Sequence, residues 1–160
     1  MSKKDEKTNV FRLLEQQGIA YTPHLYAESG AVSGGDVAKA LGEDPDRVFK
    51  TLVTEGSPRR YYVFIIPVNT ELDLKKAAKA CGEKSVAMIA QKELLPLTGY
   101  VHGGCSPIGM KKQFPTFLDE TAMLFDTVYY SGGKVGWQAE TTPQDLMRMV
   151  PLTLADLTKQ

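Results

Sequence analysis

Cysteine is scarce: Cys81 and Cys105 are the only two in 160 residues, so at most one bridge can form and a disulfide scaffold is excluded. A surplus of either charge is missing as well. Nineteen Lys and Arg balance nineteen Asp and Glu at a pI near 6.7, so bulk charge advertises no nucleic-acid partner, and any RNA contact must come from a local patch. Long apolar runs are absent too. None approaches the roughly 20 residues of a membrane span, which excludes a spanning helix. The opening Met1-Ser2-Lys3-Lys4-Asp5-Glu6-Lys7 has no apolar segment behind it like the core of a secretory signal, so the expected compartment is the cytoplasm, with both cysteines as thiols. Internal repeats are not found, nor is any low-complexity tract beyond 28–35.

What is present is ordinary globular material, 42% apolar and 24% charged. A chain of this length buries about 70% of its unfolded surface in one core, which predicts a single domain over 1–160 with 1–8 as a loose tail. Thr8 reads as the N-cap of a helix carrying Val10, Leu13 and Leu14 and ending at Gly18. Tyr21 to Tyr26 is extended, Glu28 to Gly35 is a flexible Gly/Ser loop, Asp36 to Leu41 is a short helix, and Asp44-Pro45 opens another helical turn. Val48–Thr54 and Tyr61–Val68, β-branched and aromatic around Gly56-Ser57-Pro58, predict a hairpin.

Leu74, Ala77, Ala78 and Cys81 follow helical spacing with Lys75, Lys76 and Lys79 between them and Gly82 at the end. Ser85–Ile89 reads as a strand and Gln91–Leu95 as a helix curtailed by Pro96. Phe114–Leu118 and Phe125–Tyr130 read as strands, Ser131-Gly132-Gly133-Lys134 turns the chain into Val135–Glu140, and Thr142-Pro143 opens a helix bearing Leu146, Met149 and Val150. Strands and helices in this mixed order predict an α+β domain with a curved, mainly antiparallel sheet.

Three features invite chemistry. Lys50 shares a strand face with Val48 and Leu52, where a cation either lines an anion pocket or guards a sheet edge against aggregation. Gly103-Gly104-Cys105-Ser106-Pro107-Ile108-Gly109 suits a backbone that turns N–H groups toward an oxyanion, or a plain connection. It is no P-loop and no hydrolase elbow, because no Lys-Ser or Lys-Thr pair follows at the required spacing and Pro107 has no N–H to give an oxyanion. Ser131-Gly132-Gly133-Lys134 is a second glycine turn, and with the lysine and the first turn it would make an anion pocket if the three converged.

His24, Cys81, His102 and Cys105 have no recognised zinc spacing, so no metal is expected. Cys81 completes a helix stripe, and Cys105 would need a depressed pKa to act as a nucleophile. Lys75, Lys76, Lys79 and Lys84, with Lys111, Lys112 and Lys134, form either a phosphate-contacting patch or solvated faces.

Taken together, Asp44-Pro45-Asp46-Arg47-Val48-Phe49-Lys50-Thr51-Leu52, Leu72-Asp73-Leu74-Lys75-Lys76, Thr98-Gly99-Tyr100, Gly103-Gly104-x-Ser106-Pro107-x-Gly109 and Tyr130-Ser131-Gly132-Gly133-Lys134 resemble the YbaK family of Cys-tRNA(Pro) deacylases from about residue 10 to 158. The resemblance implies a barrel-like mixed sheet flanked by helices. It also implies hydrolysis in trans of tRNA(Pro) that prolyl-tRNA synthetase has mischarged with cysteine, without a metal or organic cofactor and with that synthetase as a partner. A second hydrolytic site is useful because a synthetase pocket separates ligands of such similar size by only about 1–3 kcal/mol. In the mechanism the resemblance implies, the substrate's own thiol attacks its ester carbonyl, releasing tRNA as a thiolactone forms, which makes the enzyme an ester hydrolase or lyase.

By the same resemblance Lys50 binds the terminal phosphate or ribose and steadies negative charge, and Gly103, Gly104 and Ser106 shape the pocket. Ser131 and Gly133 hold the aminoacyl end, Tyr21 walls the site, and Thr51 and Gly132 join the substrate-binding set. Cys105 replaces a branched aliphatic residue, and Ala27 to Gly35 is short and without the aromatic often found there. Deacylation of another ester such as Ala-tRNA(Pro), or a non-catalytic module that binds a tRNA 3′ end or a synthetase, are the alternatives.

Overall fold

A computed structural model of the chain describes residues 7–26 and 34–159. Most of the Gly/Ser loop, including the segment expected to lack an aromatic wall, and the tail 1–6 lie outside the described residues. Thr8 caps α1 (Asn9–Gln16) by accepting the Phe11 N–H at 3.3 Å, and Val10, Phe11 and Leu14 are buried. Strand β1 (Thr22–Leu25) follows. Helix α2 (Gly34–Leu41) starts two residues before the expected Asp36, taking in both glycines. A 3-10 turn at Pro45–Arg47, capped by Asp44, then feeds the hairpin of β2 (Phe49–Glu55) and β3 (Tyr61–Pro67).

Asp73 caps α3 (Leu74–Cys81), and Gly82 ends it in the left-handed conformation at φ 77°. The next strand is shorter than expected, β4 (Ala87–Met88), and α4 (Gln91–Thr98) runs through Pro96 instead of stopping there. A proline removes one N–H and crowds one carbonyl, and in so short a helix the last turn is held by the Thr98 hydroxyl, which donates to the Leu94 carbonyl at 2.7 Å. Strand β5 (Thr116–Asp119) leads into a 3-10 turn at Glu120–Leu124 that delays β6 to Val128–Ser131, and β7 (Trp137–Thr141), α5 (Pro143–Met149) and β8 (Leu152–Ala155) complete the chain. Neither that turn nor β8 was expected from sequence. The expected strand at Phe125 forms only from Val128 because the capping carboxylate of Asp119 draws the preceding residues into a turn.

The α+β class stands, with two open sheets in place of one barrel. The smaller is antiparallel in the order β1-β7-β6, and the larger, β4-β2-β3-β5-β8, is mixed, its β3–β5 and β5–β8 pairs being parallel. A single parallel bridge, Val48 to Tyr129, joins them. The main core, which includes Phe11, Leu14, Phe49, Val53, Ile65, Leu118, Tyr130 and Leu146, draws on both sheets, α1 and α5. A second cluster under α3 contains Phe64, Ile66, Ala77, Ala78 and Leu157.

Candidate functional site

The break between the two sheets creates the site. Along the flank opposite β3, the β2 segment meets β6 at Val48, just before the strand, and β4 at Thr54 and Glu55, with the Ile89 N–H donating to the Val53 carbonyl at 3.3 Å, which leaves Lys50 to Leu52 without a paired strand on that side. Lys50 therefore stands on a short unpaired stretch of β2 between β6 and β4, not on a free outer strand. Continued by two residues from the Val48–Tyr129 bridge, parallel register puts Lys50 level with Ser131, the last residue of β6. Strand alternation sets Lys50 on the face of Val48 and Leu52, both packed among apolar side chains. The ammonium is half-buried and makes no hydrogen bond or ion pair with another described residue. Burial lowers its pKa from the usual lysine range, partly opposed by the field of Glu71.

Both glycine turns close on each other. A Cβ on Gly104 would stand 2.9 Å from the Val135 nitrogen and 3.2 Å from the Lys134 carbonyl carbon, so only glycine lets the two backbones touch. Gly133, at φ 92°, lies against Val10 and Tyr100, and Gly132 lies against Phe11 and Trp137. Within the second turn three N–H groups have partners: Gly132 donates to the Trp137 carbonyl at 2.9 Å, Trp137 to the Lys134 carbonyl at 3.1 Å, and Gly133 to Ser131 Oγ at 3.1 Å. In the first turn Gly104 donates to the Val101 carbonyl at 3.0 Å and Ile108 to Ser106 Oγ at 3.3 Å. No hydrogen bond to a described residue accounts for the N–H groups of Gly103, Cys105 and Ser106. Three donors are therefore left over where the turns meet.

Of the other expected site residues, Thr51 points the opposite way from Lys50. It pairs with Ile65 of the main core, and its buried Oγ1 has no partner. Tyr21 is not brought to the site. It stacks on Phe11 at 5.0 Å between ring centroids and donates to Glu15 at 3.0 Å, reaching the glycine turn only through the Phe11 ring. Cys105 is buried, and that burial pushes its thiol up to about 12, so it stays protonated at neutral pH and is no nucleophile. The imagined zinc ligands are not assembled: His24 Nε2 is 2.9 Å from Glu140 Oε1, Cys81 packs beneath α3, and Cys105 sits in the main core. Among the described residues no group of three His, Cys, Asp or Glu side chains is placed to hold a metal.

Two residues escaped the sequence reading. Gln138 is 5% exposed and its Oε1 is buried without a partner among the described residues, although it stands between Ser131 and His24 in the ladder of β6, β7 and β1. An orphan acceptor of this kind costs about 1–3 kcal/mol unless a ligand donor meets it. Tyr26 extends the β1–β7 pairing, its N–H donating to the Gly136 carbonyl at 2.8 Å, and alternation puts its buried ring on the face of His24 and Gln138. Period-two counting from the Ser131 turn was the available signal for both.

The fold and this site define a class: a small α+β domain with a lysine on the strand where its two sheets separate and two glycine turns that touch each other. Residues 28–149 match the model of the aminoacyl-tRNA editing domain, and the chain belongs to that family. It is 45% identical over 157 residues, 98% of this chain and 96% of the relative, to EbsC of Enterococcus faecalis, provisionally named a Cys-tRNA(Pro)/Cys-tRNA(Cys) deacylase. A proline–tRNA ligase of Shouchella clausii is 28% identical over 102 residues, which cover 64% of this chain and 18% of the ligase. Among solved structures, one described as a provisional trans-editing enzyme for prolyl-tRNA synthetase is 26% identical with a TM-score of 0.82, covering 97% of this chain and all of that one.

Proposed function

We propose that this protein is an editing deacylase that acts in trans on tRNA(Pro) mischarged with cysteine. The near full-length identity of 45% to the Enterococcus faecalis relative carries this reading, and the half-buried Lys50 beside donors left over in the first glycine turn supplies the chemistry. The aminoacyl ester sits in the break between the sheets. Its carbonyl oxygen, which gains negative charge as the tetrahedral intermediate forms, meets the free N–H groups of Gly103, Cys105 and Ser106. Lys50 neutralises the nearby ribose-phosphate end, Gln138 Oε1 accepts from the α-ammonium group, and Tyr26 closes the wall.

The protein offers no activated nucleophile there. With Cys105 held as a thiol, the attacking atom is the sulfur of the substrate cysteine: its thiolate forms the C–S bond, the ester C–O bond breaks, and the ribose oxygen leaves and takes a proton. Water then opens the four-membered thiolactone, so that the net reaction is ester hydrolysis. Prolyl-tRNA synthetase, which produces the mischarged substrate, is the natural partner, and the cytoplasm is where the two meet.

The test is a deacylation panel over cysteinyl, alanyl, seryl and S-methylcysteinyl tRNA(Pro) and cysteinyl tRNA(Cys). Turnover of cysteinyl esters above buffer, with the seryl and S-methyl esters inert, supports the reading. Equal turnover of all acyl groups replaces the substrate thiol with water, and no turnover of any ester leaves a binding module.

A further inference from the structure

We infer that the groove between α3 and the segment 83–86 holds the sugar-phosphate backbone of the tRNA acceptor stem while the aminoacyl end occupies the Lys50 site, an inference that rests on the deacylase reading. The groove, of about 290 Å³, is lined by Lys75, Lys79 and Lys84 together with Leu74, Ser85 and others. The structure sorts the lysines of this region. Lys76 is consumed by Asp156 at 3.0 Å and the Thr158 carbonyl at 2.8 Å, Lys159 by Glu71 at 3.1 Å, and Lys112 lies 6.0 Å from the Phe114 ring centroid. Lys75, Lys79 and Lys84 are exposed, with no carboxylate of a described residue within ion-pair distance.

Glu83, the one acid lining the groove, is turned to other work. Its Oε1 accepts from the Ser57 N–H at 3.1 Å and hydroxyl at 2.6 Å, and its Oε2 accepts from the Tyr62 hydroxyl at 2.5 Å. Three lysines without ion-pair partners and one carboxylate whose oxygens face Ser57 and Tyr62 thus line one groove of a chain with no net charge, leaving it positive by two, and a polyanion is the complementary ligand. Lys75 and Lys79, four residues apart, hold their stems about 5–6 Å from each other on one helix face. Leu74, 42% exposed in the first turn, offers an apolar surface to a ribose.

Position joins the groove to the site. Leu52, on the same face of β2 as Lys50, packs against the core cluster that contains Ala77 and Ala78 of α3, and Glu71, three residues before α3, is near enough to Lys50 to act on its charge. The eight-residue helix is about 12 Å long, so both ends lie within one acceptor stem's reach of the site.

The probe is an uncharged RNA hairpin that reproduces the acceptor stem and ends in CCA, titrated across salt concentrations. In the triple variant Lys75→Gln/Lys79→Gln/Lys84→Gln the slope of log affinity against log salt should flatten by roughly 2 to 3. KM for cysteinyl-tRNA(Pro) should rise about tenfold or more, with kcat unchanged. Turnover of cysteinyl-adenosine, which has no stem, should not change, and the triple Arg variant should keep the wild-type slope. An unaltered salt slope overturns the inference. So does loss of cysteinyl-adenosine turnover in parallel, and so does retained RNA binding with loss of synthetase binding, which would give the groove to an acidic protein face. Failure of the wild type to cleave cysteinyl-tRNA(Pro) would sink the deacylase reading instead, because hairpin binding is read without turnover.

Discussion

The two glycine turns look alike as strings and differ in what they present. Around Ser131 to Trp137 every inward N–H named above is answered within the turn, by a strand carbonyl or by the Ser131 hydroxyl. Around Gly103 to Ser106 three N–H groups have no such answer. The second turn answers the N–H groups at its neck and leaves those of Val135 and Gly136 without a partner among the described residues, the first leaves three, and Gly104 lets the two touch. Glycine density marks where backbones approach; which backbone faces a ligand depends on where its hydrogen bonds have already gone.

The largest test of this division removes the charge opposite the donors. Lys50→Met should lower kcat/KM for cysteinyl-tRNA by about 10²–10³. Its melting temperature should stay level or rise, because the half-buried ammonium is an electrostatic burden on the fold. Since burial lowers its pKa, the unfolded chain keeps the proton to higher pH, and the unfavourable contribution of Lys50 fades as pH rises through that window. Thermal melts from neutral to alkaline pH should show a stability gain in wild type that Lys50→Met lacks. In the pH–rate profile, activity should fall on the alkaline side before an ordinary lysine would titrate.

Next comes the contact between the turns. Gly104→Ala places a methyl against backbone and should cost about 1–3 kcal/mol by denaturant titration together with most of the activity. Gly132→Ala meets chiefly the movable Phe11 ring and should cost less. Gln138→Met should lower kcat/KM about tenfold while leaving stability unchanged or raised, because it removes an orphan acceptor from the wall. The smallest effect is expected at Cys105. Cys105→Ala should lose about 1 kcal/mol of packing and keep most activity, and in the wild type that thiol should resist alkylation at neutral pH. Activity loss as deep as that of Lys50→Met would make Cys105 a participant.

Much of this was legible beforehand because it is local. Thr8 and Gly82 bound their helices as read, and the β2–β3 hairpin and the β6–β7 turn lie where β-branched runs and glycine pairs placed them. Pro96 misled because a proline removes one N–H, the one that would reach the Lys92 carbonyl, while the last turn still closes through the Thr98 hydroxyl on the Leu94 carbonyl and the Gly99 N–H on the Leu95 carbonyl at 2.9 Å. Strand β8 was missed because its parallel pairing with β5 comes from residues some thirty-six positions away. Tyr21 drew attention that belonged to Tyr26: both sit at the ends of one extended stretch, and only the β1–β7 register decides which ring shares a face with Gln138.

By itself the sequence determined the α+β class, the helix caps, the apolar surroundings of Lys50 and the family to which the chain belongs, since each depends on residue type and short-range spacing. Tertiary structure alone decided that the sheets stay open and part beside Lys50, that the N–H groups of Gly103, Cys105 and Ser106 meet no described residue, and that Gln138 Oε1 is buried without a partner among the described residues. Those outcomes depend on which distant carbonyls and side chains are left to satisfy each polar group, and no local pattern carries that information.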